Sequence, residues 1–314
     1  MANETAPVAL VVPILNEAAT LPVLLRALAA LDLKPAELIF VDAGSQDASA
    51  HIINDWWQSA GWNGARLRVL DVPHAYPGAA RNAGIMESTQ PWIAFLDAGI
   101  TPDPQWLRVL VETGQSTQAA GVFGITRFTG DDALTTALCA LSYGQGASRS
   151  TLPGSMFRRE VFAEIGEFDP ALRAGEDRLW LAGYDQRYHQ RVIDNRATVE
   201  YFHFPPSLTA AAAKWFGYER HAGRAGLNKS AGIAYLVALI AIIAAFALGP
   251  AAVLALGMCY LLVRGIADPM RRSRRWDWWR TYPASILLAP LCAVVIDAAK
   301  FAGRIKGTWE RSHA

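Results

Sequence analysis

The sequence of 314 residues predicts an α/β protein with a mostly parallel sheet flanked by helices, followed by a C-terminal α-helical region associated with a membrane. Two observations predict the first part. Short apolar runs alternate with helical patterns, and two of these runs end in a carboxylate and small residues, at Asp42 and Asp97. Long uncharged apolar segments that start near residue 231 predict the second part.

Strands and helices alternate in the first part of the chain. Val8–Val12 predicts a strand ended by Pro13, and leucines at helical spacing between Leu21 and Leu31 predict the first helix. The segment His74–Gly84 is rich in small residues and is predicted to precede another short helix. Further apolar runs predict strands at Leu38–Val41, Leu67–Val72 and Trp92–Leu96.

The pattern is less regular after Asp97. A helix is predicted to start at Pro102–Pro104, and Val122–Phe128 predicts an edge or antiparallel strand. Glu176 and Asp177 come just before a predicted helix that starts at Leu179, whose positive N-terminal end favours carboxylates.

The C-terminal third predicts membrane association. A hairpin over about residues 231–264, interrupted at Gly249–Pro250, is flanked on both sides by Lys and Arg, so both flanks are expected in the cytoplasm. A third apolar helix over about 283–300 is followed by Lys300, Arg304, Lys306 and Arg311, which also favour the cytoplasmic side, so we predict a dipping or interfacial helix. The alternative is a buried helical hairpin of a soluble domain.

The net charge, the cysteine positions and the motifs of the sequence argue against several classes of protein. A formal net charge of +1 gives no electrostatic case for nucleic-acid binding. The three cysteines are far apart and fit neither a disulfide framework nor a zinc spacing. No Gly-x-Gly-x-x-Gly follows the first strand, which disfavours a Rossmann dehydrogenase. The first seven residues are short and polar, so no signal peptide is expected.

Five segments carry a family resemblance in the order in which they occur. They are Val12–Glu17, Val41–Asp47, Gly78–Gly84, Phe95–Gly99 and Gly175–Asp177. Together, across about residues 8–205, they resemble the successive signatures of family 2 glycosyltransferases of the GT-A fold. The processive polysaccharide synthases of that family carry a Gln-x-x-Arg-Trp element, and Arg274-Arg275-Trp276 lacks the glutamine, which favours addition of a single sugar.

The resemblance implies a role for each of the following residues. The nucleotide-sugar donor would be held by Pro13, Asn16, Glu17, Asp42, Arg81, Asn82 and Asp97. A divalent cation, Mg²⁺ or Mn²⁺, would be bound by Asp97 and His203, and the catalytic residues would be Asp177 as base with Glu176 assisting. Gly99 is a departure, because it stands where the family's Asp-x-Asp element has its second acid.

Each of these assignments has a structural alternative. Glu17, Asp42 and the Glu176–Asp177 pair could be helix caps or loop carboxylates, and Arg81 could be a solvated helix charge. A lone histidine in an aromatic run, such as His203, is often structural.

The predicted protein is therefore an inverting glycosyltransferase with three parts. Residues 1–210 form the catalytic domain, 211–230 a basic juxtamembrane linker, and 231–314 the membrane-associated helices. It would transfer a sugar, from a UDP-sugar in our prediction, to a lipid-linked or glycolipid acceptor, with the catalytic domain on the cytoplasmic face of the inner membrane. Two alternatives are a soluble acceptor with the tail as an anchor, and a degenerate nucleotide-binding scaffold.

Overall fold

The computed structural model describes residues 5–60, 62, 64–227 and 229–313. The chain packs as two compact units. The first comprises Met1–Arg127 with Ser148–His203, and the second comprises Phe128–Ala147 with Phe204–Ala314. The predicted functional boundaries at residues 210 and 230 stay a prediction, because packing alone does not test them.

Within the described residues, nine strands form one sheet. The strands are β1 (Thr5–Ile14), β2 (Lys34–Asp42), β3 (Arg66–Asp71), β4 (Trp92–Phe95), β5 (Ile100–Pro102), β6 (Gly121–Phe128), β7 (Ser148–Ser150), β8 (Met156–Arg158) and β9 (Val192–Tyr201).

The sheet is parallel in one half and antiparallel in the other. Its order is β3-β2-β1-β4-β8-β6-β9-β5, with β7 paired to β6. The strands β3, β2, β1 and β4 are parallel, as predicted, whereas β8 pairs antiparallel with β4 and β6, and β5 with β9. The short strands β5 and β7 and the charged strand β9 were not predicted, and β6 lies inside the sheet between β8 and β9. The predicted α/β class is confirmed, and the sheet is mixed, with its parallel strands in one half.

Seven helices of the described residues belong to the first part of the chain. They are α1 (Leu21–Ala30), α2 (Ser49–Ala60), α3 (Pro77–Glu87), α4 (Trp106–Thr117), α5 (Ala133–Ser142), α6 (Arg159–Ile165) and α7 (Glu176–Tyr188). Apolar clusters cover both faces of the sheet, one built with α1 and α4 and the other with α3, α6 and α7.

Two helix starts differ from the prediction. The small-residue segment predicted to precede a short helix mostly belongs to that helix, α3, which starts at Pro77. Gly84 lets α3 approach β1 closely. A Cβ added to Gly84 would lie 2.4 Å from the Cγ1 of Val11. Helix α7 starts at Glu176 rather than Leu179, since Gly175 adopts a φ of +86° at its N-cap. The two carboxylates therefore lie in the first turn of α7, not before it.

The second unit is helical apart from its connecting loops. Its C-terminal helices are α8 (Leu208–Arg224), α9 (Lys229–Leu248), α10 (Pro250–Tyr260), a π-helical segment (Leu261–Ala267), α11 (Asp268–Ser273) and α12 (Ser285–Ser312). The predicted break is present, because Gly249 has a φ of +104° between α9 and α10. The second arm of the predicted hairpin is longer than expected, since α10, the π-helical segment and α11 continue as one helix to Ser273.

Two of the described helices are long and apolar enough to cross a membrane, judged by length and composition. They are Pro250–Ser273 with 24 residues and Ser285–Ser312 with 28. The third apolar segment, predicted to be a dipping or interfacial helix, belongs to the second of these helices, whose length is sufficient for a span.

Helices α8 and α12 pack closely along their lengths. A Cβ added to Gly307 of α12 would lie 1.9 Å from the carbonyl oxygen of Arg220 on α8, and one added to Gly303 would lie 2.4 Å from that of Phe216. Small residues four apart allow two helix backbones to approach in this way.

Candidate active site

The loops that follow β1 and β2 are joined by hydrogen bonds. The parallel register places Pro13 opposite Val41, so both strands end at the same edge of the sheet. The backbone amide of Asn16 donates to the hydroxyl of Ser45 at 2.9 Å, and the Asn16 side-chain oxygen accepts from the amide of Gln46 at 2.8 Å. Asn16 has a φ of +55° in this turn. The two loops therefore form one rigid lip.

The carboxylates of this lip have partners within it. Asp42 is buried, and its Oδ1 accepts from the amides of Gly44 at 3.1 Å and Ser45 at 2.8 Å. Glu17 accepts a short hydrogen bond from the hydroxyl of Thr20, while its own amide donates to Ser49. Asp71, at the end of β3, lies in register with Asp42 and adds a third acid that we did not single out from the sequence. The strand-end pattern that identified Asp42 could have identified it.

Arg81 lies at the centre of the site between two carboxylates. Its Nη1 donates to Oε1 of Glu176 at 2.7 Å, and its Nη2 donates to Oδ1 of Asp97 at 2.8 Å. The Arg81 side chain is 4% exposed and that of Glu176 is 6% exposed, whereas that of Asp97 is 40% exposed. The arginine thus joins the strand-end acid to the acid of helix α7.

Close packing of helix α3 brings Arg81 to this position. A Cβ added to Gly78 would lie 2.8 Å from the carbonyl oxygen of Asp169 and 3.2 Å from the Cγ of Glu176. Aromatic rings form the wall behind the arginine, since its Cζ lies 5.8 Å from the ring centre of Phe168 and Trp180 stacks on that ring at 5.0 Å. This aromatic support was missed in the sequence, where only its location on either side of Gly175–Asp177 could have indicated it.

The charges of the cluster shift its pKa values. Burial raises the pKa of Glu176, and the neighbouring charge of Asp177 adds to that rise, while Arg81 opposes it. Burial would lower the pKa of Arg81, but the charges of Asp97, Glu176 and Asp177 outweigh it and raise that pKa. Arg81 therefore stays positively charged. Its Nε is buried and has no hydrogen-bond partner among the described residues.

Arg81 and Asn82 have neighbours that differ from those the prediction implied. Both terminal nitrogens of Arg81 bind protein carboxylates, which points to a role in positioning Asp97 and Glu176. The Asn82 amide donates to the carbonyl of Phe168 at 2.8 Å and accepts from its amide at 3.0 Å, which points to a structural role. Direct contact of either residue with a donor stays a prediction.

Asp177 and Asp97 are the acids of the cluster with exposed surface. Asp177 is partly buried in the first turn of α7, where its Oδ1 accepts from the amide of Arg178 at 2.7 Å. Asp97 uses Oδ1 for Arg81 and exposes part of its side chain. Both carboxylates can therefore reach a ligand.

Gly99 and His203 lie against each other. A Cβ added to Gly99 would lie 2.8 Å from the Cβ of His203, since the pairing of β5 with β9 places Ile100 opposite Tyr201. His203 is exposed. The imidazole thus occupies the place beside the position where the Asp-x-Asp pattern has a second acid.

The described residues hold no group of three or more His, Cys, Asp or Glu side chains able to bind a metal ion. His203 contacts Gly99, which is two residues after Asp97. Mg²⁺ usually needs only one or two protein carboxylates when substrate phosphates and water complete its shell. Binding of a cation by Asp97 and His203 together with a diphosphate stays a prediction.

Comparisons with known proteins agree on the family. The model of "Glycosyl transferase family 2" matches residues 9–166. Glycosyltransferase AglE of Haloferax volcanii is 27% identical over 201 residues, which are 59% of this chain and 65% of that protein. The pre-mycofactocin glycosyltransferase of Mycobacterium tuberculosis is 29% identical over 201 residues, which are 58% of this chain and 40% of that protein. The chain thus spans under two thirds of the length of these curated relatives.

A solved structure shares the fold. The mannosyltransferase PcManGT from Pyrobaculum calidifontis, in complex with GDP-Man and Mn²⁺, superposes with a TM-score of 0.52 at 15% identity. The alignment covers 97% of this chain and 87% of that one. At this identity the likeness shows the fold alone. The family model, however, matches half of the chain, and its residues include the strand ends, the loops and the arginine described above. The chain belongs to glycosyl transferase family 2.

Proposed function

We propose that this protein is an inverting glycosyltransferase that moves one sugar from a nucleotide-sugar to a membrane-lipid or lipid-linked acceptor. The observation that carries the proposal is the cluster of Asp97, Arg81, Glu176 and Asp177 at the carboxyl end of β4 and the start of α7. It combines a partly exposed acid available to a donor, Asp97, a buried cation that fixes that acid, Arg81, and a second partly exposed acid, Asp177. Both curated relatives are named as glycosyltransferases.

Asp177 is the proposed base. Its carboxylate takes the proton of the acceptor hydroxyl while the acceptor oxygen forms a bond to the anomeric carbon. The bond from that carbon to the diphosphate oxygen breaks on the opposite face, so the configuration inverts and the nucleoside diphosphate leaves. Glu176 is held by Arg81 and orients the first turn of α7.

The donor would lie against the lip formed by the β1 and β2 loops. Glu17 and Asp42 are the acids available there for base and ribose hydroxyls, and the Asn16–Ser45 hydrogen bond fixes the separation of the loops. Asp97 and His203 are the residues that would hold Mg²⁺ or Mn²⁺, which would neutralise charge on the leaving diphosphate. We propose UDP as the nucleotide, with GDP as the alternative because PcManGT binds GDP-Man.

The C-terminal helices support the proposed acceptor. Two of them have the length and composition of membrane spans. The segments before and after the apolar hairpin of about residues 231–264 are rich in Lys and Arg. By the positive-inside rule these segments face the cytoplasm, so we propose an inner-membrane protein with a cytoplasmic catalytic domain. Holding the enzyme at the bilayer raises the effective concentration of a lipid acceptor.

Calorimetry on the full chain in detergent tests the donor site. UDP and GDP are titrated with and without Mn²⁺ into the wild type, Asp97→Ala and a control, Asp55→Asn, whose side chain is 63% exposed on α2. We expect Mn²⁺-dependent UDP binding that Asp97→Ala abolishes and the control retains. Binding that does not depend on the metal would refute the cation, and no binding to either nucleotide would favour a degenerate scaffold.

Sugar transfer tests the base and the acceptor. Asp177→Asn should keep nucleotide binding and lose roughly 10²- to 10⁴-fold in transfer rate, because the acceptor proton has no base to receive it. Transfer from labelled UDP-sugars is followed into a lipid extract and into water-soluble saccharides. Full activity of Asp177→Asn would refute its role, and transfer to soluble acceptors alone would show that the tail serves only as an anchor.

A further inference from the structure

We propose that a cavity of about 200 Å³ in the second unit binds the phosphate group of a membrane lipid. Helices α5, α8, α11 and α12 contribute its lining. Its volume is below the roughly 300–1,000 Å³ of typical small-molecule sites, so it suits a single charged headgroup better than a nucleotide-sugar. This proposal goes beyond the transfer reaction, because it concerns the helical unit alone.

Three cations from three helices line the cavity. They are Lys214 of α8, Arg272 of α11 and Lys300 of α12. Among the described lining residues there is no acidic side chain. Cations that converge without a carboxylate among them provide the charge and the donors that a phosphate group requires.

The carboxylates near Lys300 have arginine partners of their own. The acids whose charges act on Lys300 are Asp297 and Glu219. Asp297 accepts two hydrogen bonds from Arg264, at 2.7 and 2.8 Å, and Glu219 accepts from Arg304 at 2.6 and 2.9 Å. Lys300 therefore shares both of its nearby acids with an arginine.

The acid beside Arg272 is shared among three arginines. Asp268 accepts from Arg271 at 2.7 Å, from the Nε of Arg272 at 3.0 Å, and from Arg264 in a short contact. One carboxylate cannot neutralise three guanidinium groups. The cavity consequently retains a positive excess.

Arg272 is also held in place before any ligand binds. Its Nη1 donates to the carbonyl of Ser142 at 3.0 Å, while its Nε is held by Asp268. These two hydrogen bonds, to a carboxylate and to a backbone carbonyl, fix the plane of the guanidinium group. Binding of an anion therefore orders few additional side-chain rotamers, which favours affinity.

The surroundings of the cavity indicate a lipid rather than a free ion. Arg272 lies at the end of the apolar helix Pro250–Ser273, and Lys300 lies after the apolar half of α12. The rings of Tyr143, Trp215 and Tyr218 also line the cavity. Basic and aromatic residues at the ends of apolar helices are typical of the headgroup level of a bilayer. The phosphate we propose is therefore attached to a lipid chain.

Binding of farnesyl phosphate to the full chain in detergent tests the proposal. Farnesol lacks the phosphate, and inorganic phosphate lacks the chain, so the three titrations separate the two parts of the ligand. We expect farnesyl phosphate to bind at least tenfold more tightly than either. Equal binding of farnesol would overturn the phosphate site, and equal binding of inorganic phosphate would overturn the lipid.

Matched variants locate the site. Arg272→Gln and Lys300→Gln should each weaken farnesyl phosphate binding about tenfold, since each removes a charged donor. Their controls are Arg280→Gln and Lys306→Gln, which alter exposed residues outside the cavity lining. Equal losses in variants and controls would overturn the cavity. Lys214→Gln replaces any variant whose circular dichroism shows loss of helix.

The outcome is independent of catalysis. Asp177→Asn should bind farnesyl phosphate like the wild type even though its sugar transfer is strongly slowed. If the wild type binds farnesyl phosphate but not UDP, the result counts against the proposed transferase only. If the wild type binds UDP but not farnesyl phosphate, the result counts against this cavity only.

Discussion

Replacing Arg81 by methionine should open the structure around helices α3 and α7. The change leaves Glu176, whose side chain is 6% exposed, as a buried carboxylate without its cation. Removing one partner of a buried pair costs roughly 3–5 kcal/mol. Asp97 is 40% exposed and can be hydrated, so it adds little to this cost. The whole loss is therefore expected to come from the Glu176 side of the cluster.

Hydrogen exchange of the full chain in detergent measures this loss locally. Peptides from Pro77–Glu87 and Glu176–Tyr188 should exchange roughly 10²- to 10³-fold faster, because each 1.4 kcal/mol is a factor of ten. The control is Arg187→Met on the same helix, whose ion pair with Glu164 has a similar length of 2.7 Å but is 57% and 39% exposed. It should change exchange less than about fivefold.

The effect of pH follows from the pKa of Glu176. Burial raises this pKa and the charge of Asp177 raises it further, whereas the charge of Arg81 opposes the rise. Without Arg81 this pKa rises more, so the folded state of the variant binds a proton more readily than the unfolded chain does. The stability that this proton provides is present at low pH and is lost as the pH rises through the folded pKa. The variant should therefore be closer to wild type at about pH 5 than at about pH 8.

A second substitution checks the cause. Glu176→Gln in the Arg81→Met background should recover much of the lost protection, because the buried charge is gone, whereas Glu176→Gln alone should be destabilising. Additive effects of the two changes, or an Arg81→Met variant that exchanges like the Arg187→Met control, would refute the buried ion pair.

Two further substitutions test close contacts. Gly307→Ala places a Cβ 1.9 Å from the carbonyl oxygen of Arg220, so it should lower the free energy of unfolding in detergent by about 1–3 kcal/mol. The control Gly217→Ala adds a Cβ with nothing within 4 Å and should be neutral or stabilising. Equal effects of the two changes would refute the α8–α12 contact. Gly99→Asp introduces the second acid of the Asp-x-Asp pattern, but its Cβ would lie 2.8 Å from the Cβ of His203. We therefore expect this variant to show weaker Mn²⁺-dependent UDP binding, and the double variant Gly99→Asp/His203→Gly to recover it. Stronger UDP binding by Gly99→Asp alone would refute the predicted collision with His203.

Strand-end acids could be predicted from the sequence because their position follows from local order. Apolar runs give parallel strands, and parallel strands end at one edge, which is where Asp42 and Asp97 were expected. Register confirms the first pair of strands, with Ile14 opposite Asp42. The family resemblance supplied the roles of these residues, which the periodicity alone does not contain.

The Arg81 cluster could not be predicted, because its contacts join distant parts of the chain. Arg81 is 16 residues from Asp97 and 95 from Glu176. The segment that carries it was predicted only to precede a short helix. Its glycines have poor helix propensity, and close packing against Val11 overrides that propensity. The strand Val192–Tyr201 was missed because its charged side chains conceal the alternation expected of a strand.

Two glycines on helix α3 determine how deeply Arg81 is buried. Gly78 and Gly84 lie on either side of it on α3, and each contacts a neighbouring element where a Cβ would collide. A methyl group at either position would lift the helix and separate the guanidinium from its carboxylates. Each glycine in a helix costs roughly 0.5–1 kcal/mol of stability relative to alanine. The two glycines therefore lower the stability of helix α3, but they allow the Arg81 guanidinium to reach its two carboxylates.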